Sequence, residues 1–91
     1  MIRTVNILIS GRVQGVGFRW FTKHKAQDFG VNGTVKNRDD GRVEVIAQAK
    51  ADILEPFIEW CHQGPITARV DKVELIDLPT HESEFNSFEI I

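Results

Sequence analysis

Cysteine is nearly absent: Cys61 is the single one in 91 residues, so no intrachain disulfide can form and the chain reads as one from a reducing compartment. No stretch approaches the ~18 consecutive apolar residues of a membrane span, and the start Met1-Ile2-Arg3-Thr4 lacks the apolar run of a signal peptide. A soluble cytoplasmic protein without a membrane partner is therefore expected. Charge of one sign is missing as well. Eleven Lys and Arg against 13 Asp and Glu leave a net charge of −2, which argues against the broad basic footprint of a nucleic-acid binder and leaves open one small anion in a local pocket. His24, His62, His81 and Cys61 do not fall at metal-ligand spacing, so no metal site is expected. Repeats and low-complexity tracts are lacking too, and 91 residues with 42% hydrophobic and 26% charged content suit a single globular domain over 1–91.

What is present is a run of short periodic segments. Val5, Ile7 and Ile9 alternate with polar neighbours and predict a half-buried strand over Thr4 to Ser10, with Leu8 breaking the pattern. Phe18, Thr22, Ala26 and Phe29 recur at spacings of four, four and three, a single helical stripe, and Gly30 supplies a left-handed stop. Gly33 to Asn37 and Arg42 to Gln48 flank an Asp40-Gly41 turn and predict a β-hairpin. Ile53, Leu54, Phe57, Ile58 and Cys61 form a second helical stripe, with Asp52 as candidate N-cap and Pro56 pushing the start toward Leu54 or Glu55. Beyond Gly64-Pro65, the apolar residues from Ala68 to Leu78 are too irregular for clean alternation and predict a strand with a bulge or bend. A polar loop over Pro79 to Glu84 and a last strand over Phe85 to Ile91 follow, the final two strands pairing around that loop. This β-α-β-β-α-β order points to an α+β fold, the ferredoxin-like sandwich of an antiparallel sheet with two helices on one face.

The chemistry concentrates in Ser10-Gly11-Arg12-Val13-Gln14-Gly15-Val16-Gly17-Phe18-Arg19, a three-glycine loop that leaves a strand and delivers an arginine into a helix start. Glycines let successive backbone N–H groups turn toward a ligand, and a helix N-terminus adds unpaired N–H groups and the positive end of its dipole. Arg19 in the first helical turn opposes that dipole, a placement that an anion would relieve, and its planar fork fits two phosphate oxygens. On spacing alone a plain connecting turn remains the competing reading. The Walker loop is excluded, since no Gly-Lys-Ser/Thr follows, and the dinucleotide fingerprint fails because its third glycine would be Trp20. Gln14 to Phe21 partly matches an RNA-recognition octamer, but that octamer must lie on a central strand and here it straddles a loop and a helix start. Asn37, before the Asp-Gly turn, reads by itself as a turn former.

Gly11 to Arg19, followed by Gly33-Thr34-Val35-Lys36-Asn37-Arg38-Asp39-Asp40-Gly41-Arg42-Val43-Glu44, resembles the two signatures of the acylphosphatases. Gly64-Pro65 with Ala68, Val70 and Val73, and Phe88-Glu89-Ile90, resemble that family's later elements, so the likeness covers the whole chain. The resemblance implies a metal-free, cofactor-free hydrolase that splits the carboxyl–phosphate bond of a small acyl phosphate, acting as a monomer. It implies that Arg19 binds the phosphoryl group with the backbone amides of Gln14, Gly15, Val16, Gly17, Phe18 and Arg19, and that Asn37 positions the attacking water. The chain departs from the family at Thr34, where a tryptophan is usual, which bears on packing and on the aim of Asn37. A non-catalytic anion-binding module on the same fold is the alternative expectation.

Overall fold

A computed structural model describes residues 1–82 and 84–91. Five strands and two helices follow one another as β1 (Ile2–Arg12), α1 (Phe18–Phe29), β2 (Asn32–Asn37), β3 (Val43–Lys50), α2 (Ala51–Gln63), β4 (Arg69–Leu78) and β5 (Phe88–Ile90). The strands form one sheet in the order β4-β1-β3-β2-β5. Both helices lie on one face, α1 against β2 and β5, and α2 against β1, β3 and β4, giving the two-layer sandwich expected from the element order. Among the described residues no helix is long and apolar enough to cross a membrane.

Alternation decides which side of each strand meets the helices. Val5, Ile7 and Ile9 of β1, Val43, Val45 and Ala47 of β3 and Val35 of β2 are fully buried beneath α1 and α2. Leu8, which breaks the pattern in sequence, points to the opposite face and is nearly buried there, in register with Glu44 and Glu74. From the helices come Phe18, Thr22 and Ala26, and Leu54, Phe57, Ile58 and Cys61, the stripes their spacing predicts. Helix α1 closes at the predicted residue: Gly30 adopts φ 79°, ψ 33°, and the amides of Gly30 and Val31 donate to the carbonyls of Gln27 and Ala26 at 3.3 and 2.8 Å, the Schellman pattern of a glycine-ended helix.

The bulge expected in the fourth strand is present. Pairing between β1 and β4 steps from Ser10↔Lys72 to Gly11↔Val70, leaving Asp71 without an opposite residue. Gly11 thus belongs to β1 and not to the loop that follows. Its φ is +132°, and a Cβ there would run into the Arg69 carbonyl and lie 2.8 Å from the Asp71 amide, so the bulged strand approaches β1 through the space a side chain would occupy.

Two expectations are corrected. Helix α2 begins at Ala51 with Lys50 at the N-cap, and Asp52 lies in its first turn without capping it. β3 runs straight into the helix, and the Ala51 amide finds a partner in the Met1 carbonyl at 3.1 Å. That contact and burial of the Leu54–Phe57–Ile58–Cys61 stripe outweigh the bond lost at Pro56, which sits inside the helix on an exposed side. The last strand does not pair with β4. It is shortened to Phe88–Ile90 and joins β2 in parallel at the far edge of the sheet.

The connection from β4 to β5 crosses the end of the sheet at Thr4, Gln48 and Asn32. Thr80 Oγ1 donates to Thr4 Oγ1 at 3.1 Å, Gln48 Nε2 to the His81 carbonyl at 3.0 Å, and Asn32 Nδ2 to the Phe85 carbonyl at 3.2 Å. The reward for the long crossing is Phe88, 2% exposed, whose ring meets Phe57 at 6.1 Å between centroids.

Because β3 is antiparallel to both β1 and β2, the C-terminal ends of β1 and β2 emerge on the same side, with Val43 in register with Ile9 on one flank and Asn37 on the other. This arrangement brings the loop after β1 and the last residue of β2 together. The Gly11→Ala variant should lose about 2 kcal/mol or more of unfolding free energy, from left-handed strain and collision with β4; urea titration should show a lower midpoint with an unchanged slope.

Candidate active site

The loop between β1 and α1 ends in a helix start built to be left open. Gly17, the N-cap residue, has φ 81°, ψ 14° and makes no side-chain cap, and α1 carries no acidic residue in its first turn. The amides of that turn and the positive end of the dipole are therefore unspent. Gly15 also has a positive φ of 75°, and nothing lies within 4 Å of where its Cβ would be, so an anion can approach the backbone closely there.

Arg19 is exposed and, among the described residues, pairs with no carboxylate. Its neighbours in the hairpin are different. Asp40 binds Arg42 Nη2 at 2.8 Å and Arg38 Nε at 3.1 Å. Hydrogen bonds from the Arg42 side chain and backbone, with a smaller contribution from Arg38, hold the Asp40 carboxyl far below the ordinary carboxylate range. The two hairpin guanidiniums are thus committed to carboxylates, whereas Arg19 keeps its charge uncommitted.

A cavity of about 210 Å³ is lined by Val13, Gly15, Gly17, Phe18, Arg19, Trp20, Asn37 and Ile90. It gathers Gly15, Gly17, Phe18, Arg19 and Asn37 from the expected set. Gln14 and Val16 stand behind it. Gln14 Nε2 donates to the carbonyls of Arg38 and Arg42 at 2.8 and 2.9 Å, tying the loop to the base of the hairpin. Val16 packs against the core, and its carbonyl accepts a hydrogen bond from Thr67 Oγ1 at 2.7 Å. The loop is therefore held on both flanks, by the β2–β3 hairpin and by the segment that follows α2.

Asn37 does not act as the turn former. The hairpin turn is closed by the Arg38 amide on the Arg42 carbonyl at 2.8 Å and the Gly41 amide on the Arg38 carbonyl at 3.2 Å, with Asp40 Oδ1 accepting from the Arg42 amide at 3.1 Å. Among the described residues the Asn37 side chain takes no hydrogen bond of its own, which leaves its amide free at the cavity wall.

A larger hollow of about 590 Å³ at the other end of the sheet, lined among others by Asn32, Gln48, Lys50, Glu82 and Phe85, has no such convergence. The Gln48 amide there is spent on Thr4 Oγ1 and the His81 carbonyl, both at 3.0 Å.

The family model for acylphosphatase matches residues 5–90. The chain belongs to the acylphosphatase family. It is 45% identical over 83 residues to the acylphosphatase of Marinobacter nauticus, covering 91% of this chain and 89% of that protein. Against the acylphosphatase of Nitrosococcus oceani it is 44% identical over 92 residues, covering 99% of each. The crystal structure of acylphosphatase from Bacillus subtilis superposes with a TM-score of 0.92 at 36% identity, covering 100% of this chain and 99% of that one. Membership makes the protein a hydrolase acting on acyl phosphates.

Thr34, the departure from the acylphosphatase signature, stands in register with Ile46 on the sheet face away from the helices. It does not line the cavity. Alternation places Thr34 and Asn37 on opposite faces of β2, so the missing indole thins cover on the open face and leaves the aim of Asn37 to the hairpin. On that open face Glu44 accepts from Asn6 Nδ2 at 2.8 Å and lies near Lys36 and Arg38. The Asn6 bond, followed by the two cations, lowers its pKa from 4.5.

Sequence reasoning did not find Ile90, Val13 or the struts made by Gln14 and Thr67. The alternation of Phe88 and Ile90 hints at an inward strand, but nothing local says that it lies beside Asn37. Gln14→Ala removes the second donor from the Arg38 and Arg42 carbonyls, which keep their backbone partners, so it should cost only about 1 kcal/mol of stability, read from urea unfolding, and should weaken inhibition by phosphate through the loosened hairpin. Since the folded pKa of Glu44 is depressed, its contribution is complete above 4.5 and is lost as pH falls through the lower folded value. Unfolding midpoints measured between about pH 6 and about pH 3 should therefore fall less in Glu44→Gln than in the parent.

Proposed function

We propose that the chain hydrolyses acyl phosphates at the cavity between the β1–α1 loop and the end of β2, with Arg19 and the loop amides binding the phosphoryl group and Asn37 positioning the water. The observation that carries this reading is the meeting of three unspent groups from two elements at one cavity: the open N-terminus of α1, the unpaired Arg19 guanidinium in its first turn and the free Asn37 carboxamide at the end of β2.

The chemistry needs no more than these. An acyl phosphate leaves as a carboxylate, a stable anion that requires no protonation, so rate can come from holding the reactants in line and from stabilising charge on the equatorial oxygens. The phosphoryl oxygens accept from the amides at Gly15 to Arg19 and from the Arg19 fork. The Asn37 carboxamide orients a water opposite the leaving oxygen. As the water oxygen bonds to phosphorus, the phosphorus–oxygen bond to the acyl group breaks and its electron pair departs with the carboxylate. The water's proton passes to a phosphoryl oxygen, which balances the products as carboxylate and inorganic phosphate without a protein base.

Each group carries a separate expectation. Arg19→Ala should lower kcat/KM for a synthetic acyl phosphate at least ~10²-fold, the loss associated with one oxyanion donor. Asn37→Ala should lower kcat while KM changes little, because water is oriented only on the way to the transition state. Turnover should continue in excess chelator. Equal turnover by the parent and Arg19→Ala would falsify the assignment, and phosphate binding without any hydrolysis would leave an anion-binding module instead.

A further inference from the structure

The cavity that holds Arg19 and Asn37 has a second, apolar side. Trp20 lines it while remaining 55% exposed, and Ile90 lines it at 40% exposed. Two partly exposed apolar side chains beside one polar cavity give it an apolar wall that a ligand can cover. The indole is also braced. The His24 ring, one helical turn on, lies against it with centroids 3.9 Å apart, and Phe21 meets its edge at 5.1 Å and 89°.

Ile90 is held with equal economy: the Ile91 amide donates to the Val35 carbonyl at 3.0 Å, and Glu89 pairs with Lys23 across to α1 at 3.7 Å. Two apolar side chains from different elements thus flank one mouth. At about 210 Å³ the cavity is smaller than the roughly 300–1,000 Å³ of pockets that enclose a drug-sized ligand. It has room for a phosphoryl group and the near end of the acyl group, and the remainder of the acyl group must leave past the rim where Trp20 and Ile90 stand.

Resting on the acyl phosphate reading above, we infer that Trp20 and Ile90 form the acyl-binding platform, selecting acyl phosphates whose acyl group is aromatic or otherwise flat and apolar over those with a small acyl group. The indole offers a flat surface whose position relative to Arg19 is fixed by the helix they share, so a planar acyl group can stack while its phosphate is held. A two-carbon acyl group is too short to gain the same contact.

The test compares kcat/KM for benzoyl phosphate and acetyl phosphate in the parent, Trp20→Ala and Trp20→Phe, with inhibition by inorganic phosphate as a probe of the phosphoryl end. The benzoyl-to-acetyl ratio should fall about tenfold in Trp20→Ala, mainly through KM for benzoyl phosphate, as expected for loss of one aromatic contact with its buried area. Trp20→Phe should keep most of the preference, and phosphate inhibition should persist in both variants. Comparing ratios cancels the intrinsic reactivity of the two substrates. An unchanged ratio in Trp20→Ala overturns the platform while leaving hydrolysis standing. Loss of phosphate inhibition together with turnover of both substrates also overturns it, because the role of Trp20 would then be structural. If the parent turns over neither substrate, the acyl phosphate reading itself falls, and the platform falls with it.

Discussion

One carboxamide joins the two halves of the site. Gln14 Nε2 reaches the carbonyls of Arg38 and Arg42 at 2.8 and 2.9 Å, so the loop that presents amides and Arg19 is tied to the hairpin that presents Asn37. Without that link, the loop would be held on one flank only, and a near-attack arrangement of reacting groups tolerates displacement of only about an ångström. The link is possible because β3 lies between β1 and β2 and is antiparallel to both, which places the ends of β1 and β2 one strand apart. Thr67, bonded to the Val16 carbonyl at 2.7 Å, holds the other flank.

The electrostatics follow the same economy. Helix α1 starts with a glycine cap, no acid in its first turn and an arginine facing outward, a combination that weakens the isolated helix. The hairpin does the opposite and pairs its own arginines with Asp40 and Glu44. Arg19 and the loop amides are left unspent at one cavity, where an anion would gain from all of them at once. The groups that the fold leaves unpaired at the helix start are the same ones that the proposed function assigns to the phosphoryl group.

Helix α1 was legible because its stripe and its glycine stop are local: Phe18, Thr22 and Ala26 are buried by their 3.6-residue period, and Gly30 needs only its own φ. The bulge in β4 was legible as a broken alternation. Other features depended on distant partners. Gly11 reads as loop in the sequence, yet it is strand because Arg69 and Asp71 crowd it. Pro56 argues for a late helix start until the Met1 carbonyl meets the Ala51 amide. The last strand reads as a neighbour of β4 until Phe88 is seen against Phe57, on the far side of the sheet. In the candidate site, Arg19 and the glycines stood out from their run and Asn37 from the register of the second signature, and the cavity gathers them. The struts and the rim did not stand out, because a hydrogen bond from Gln14 to Arg38, 24 residues away, leaves no periodic trace.

By itself the sequence determined the element types, the helix-facing sides of the strands, the anion-shaped loop and the family, since each rests on local backbone preference or on residues adjacent in the chain. Only the tertiary structure decided that Asn37 keeps its amide free and that Trp20 and Ile90 meet at the mouth of the cavity. Those facts depend on which strands pair and where the crossing chain ends. Strand pairing is settled by the burial of residues far apart in sequence, Phe88 above all.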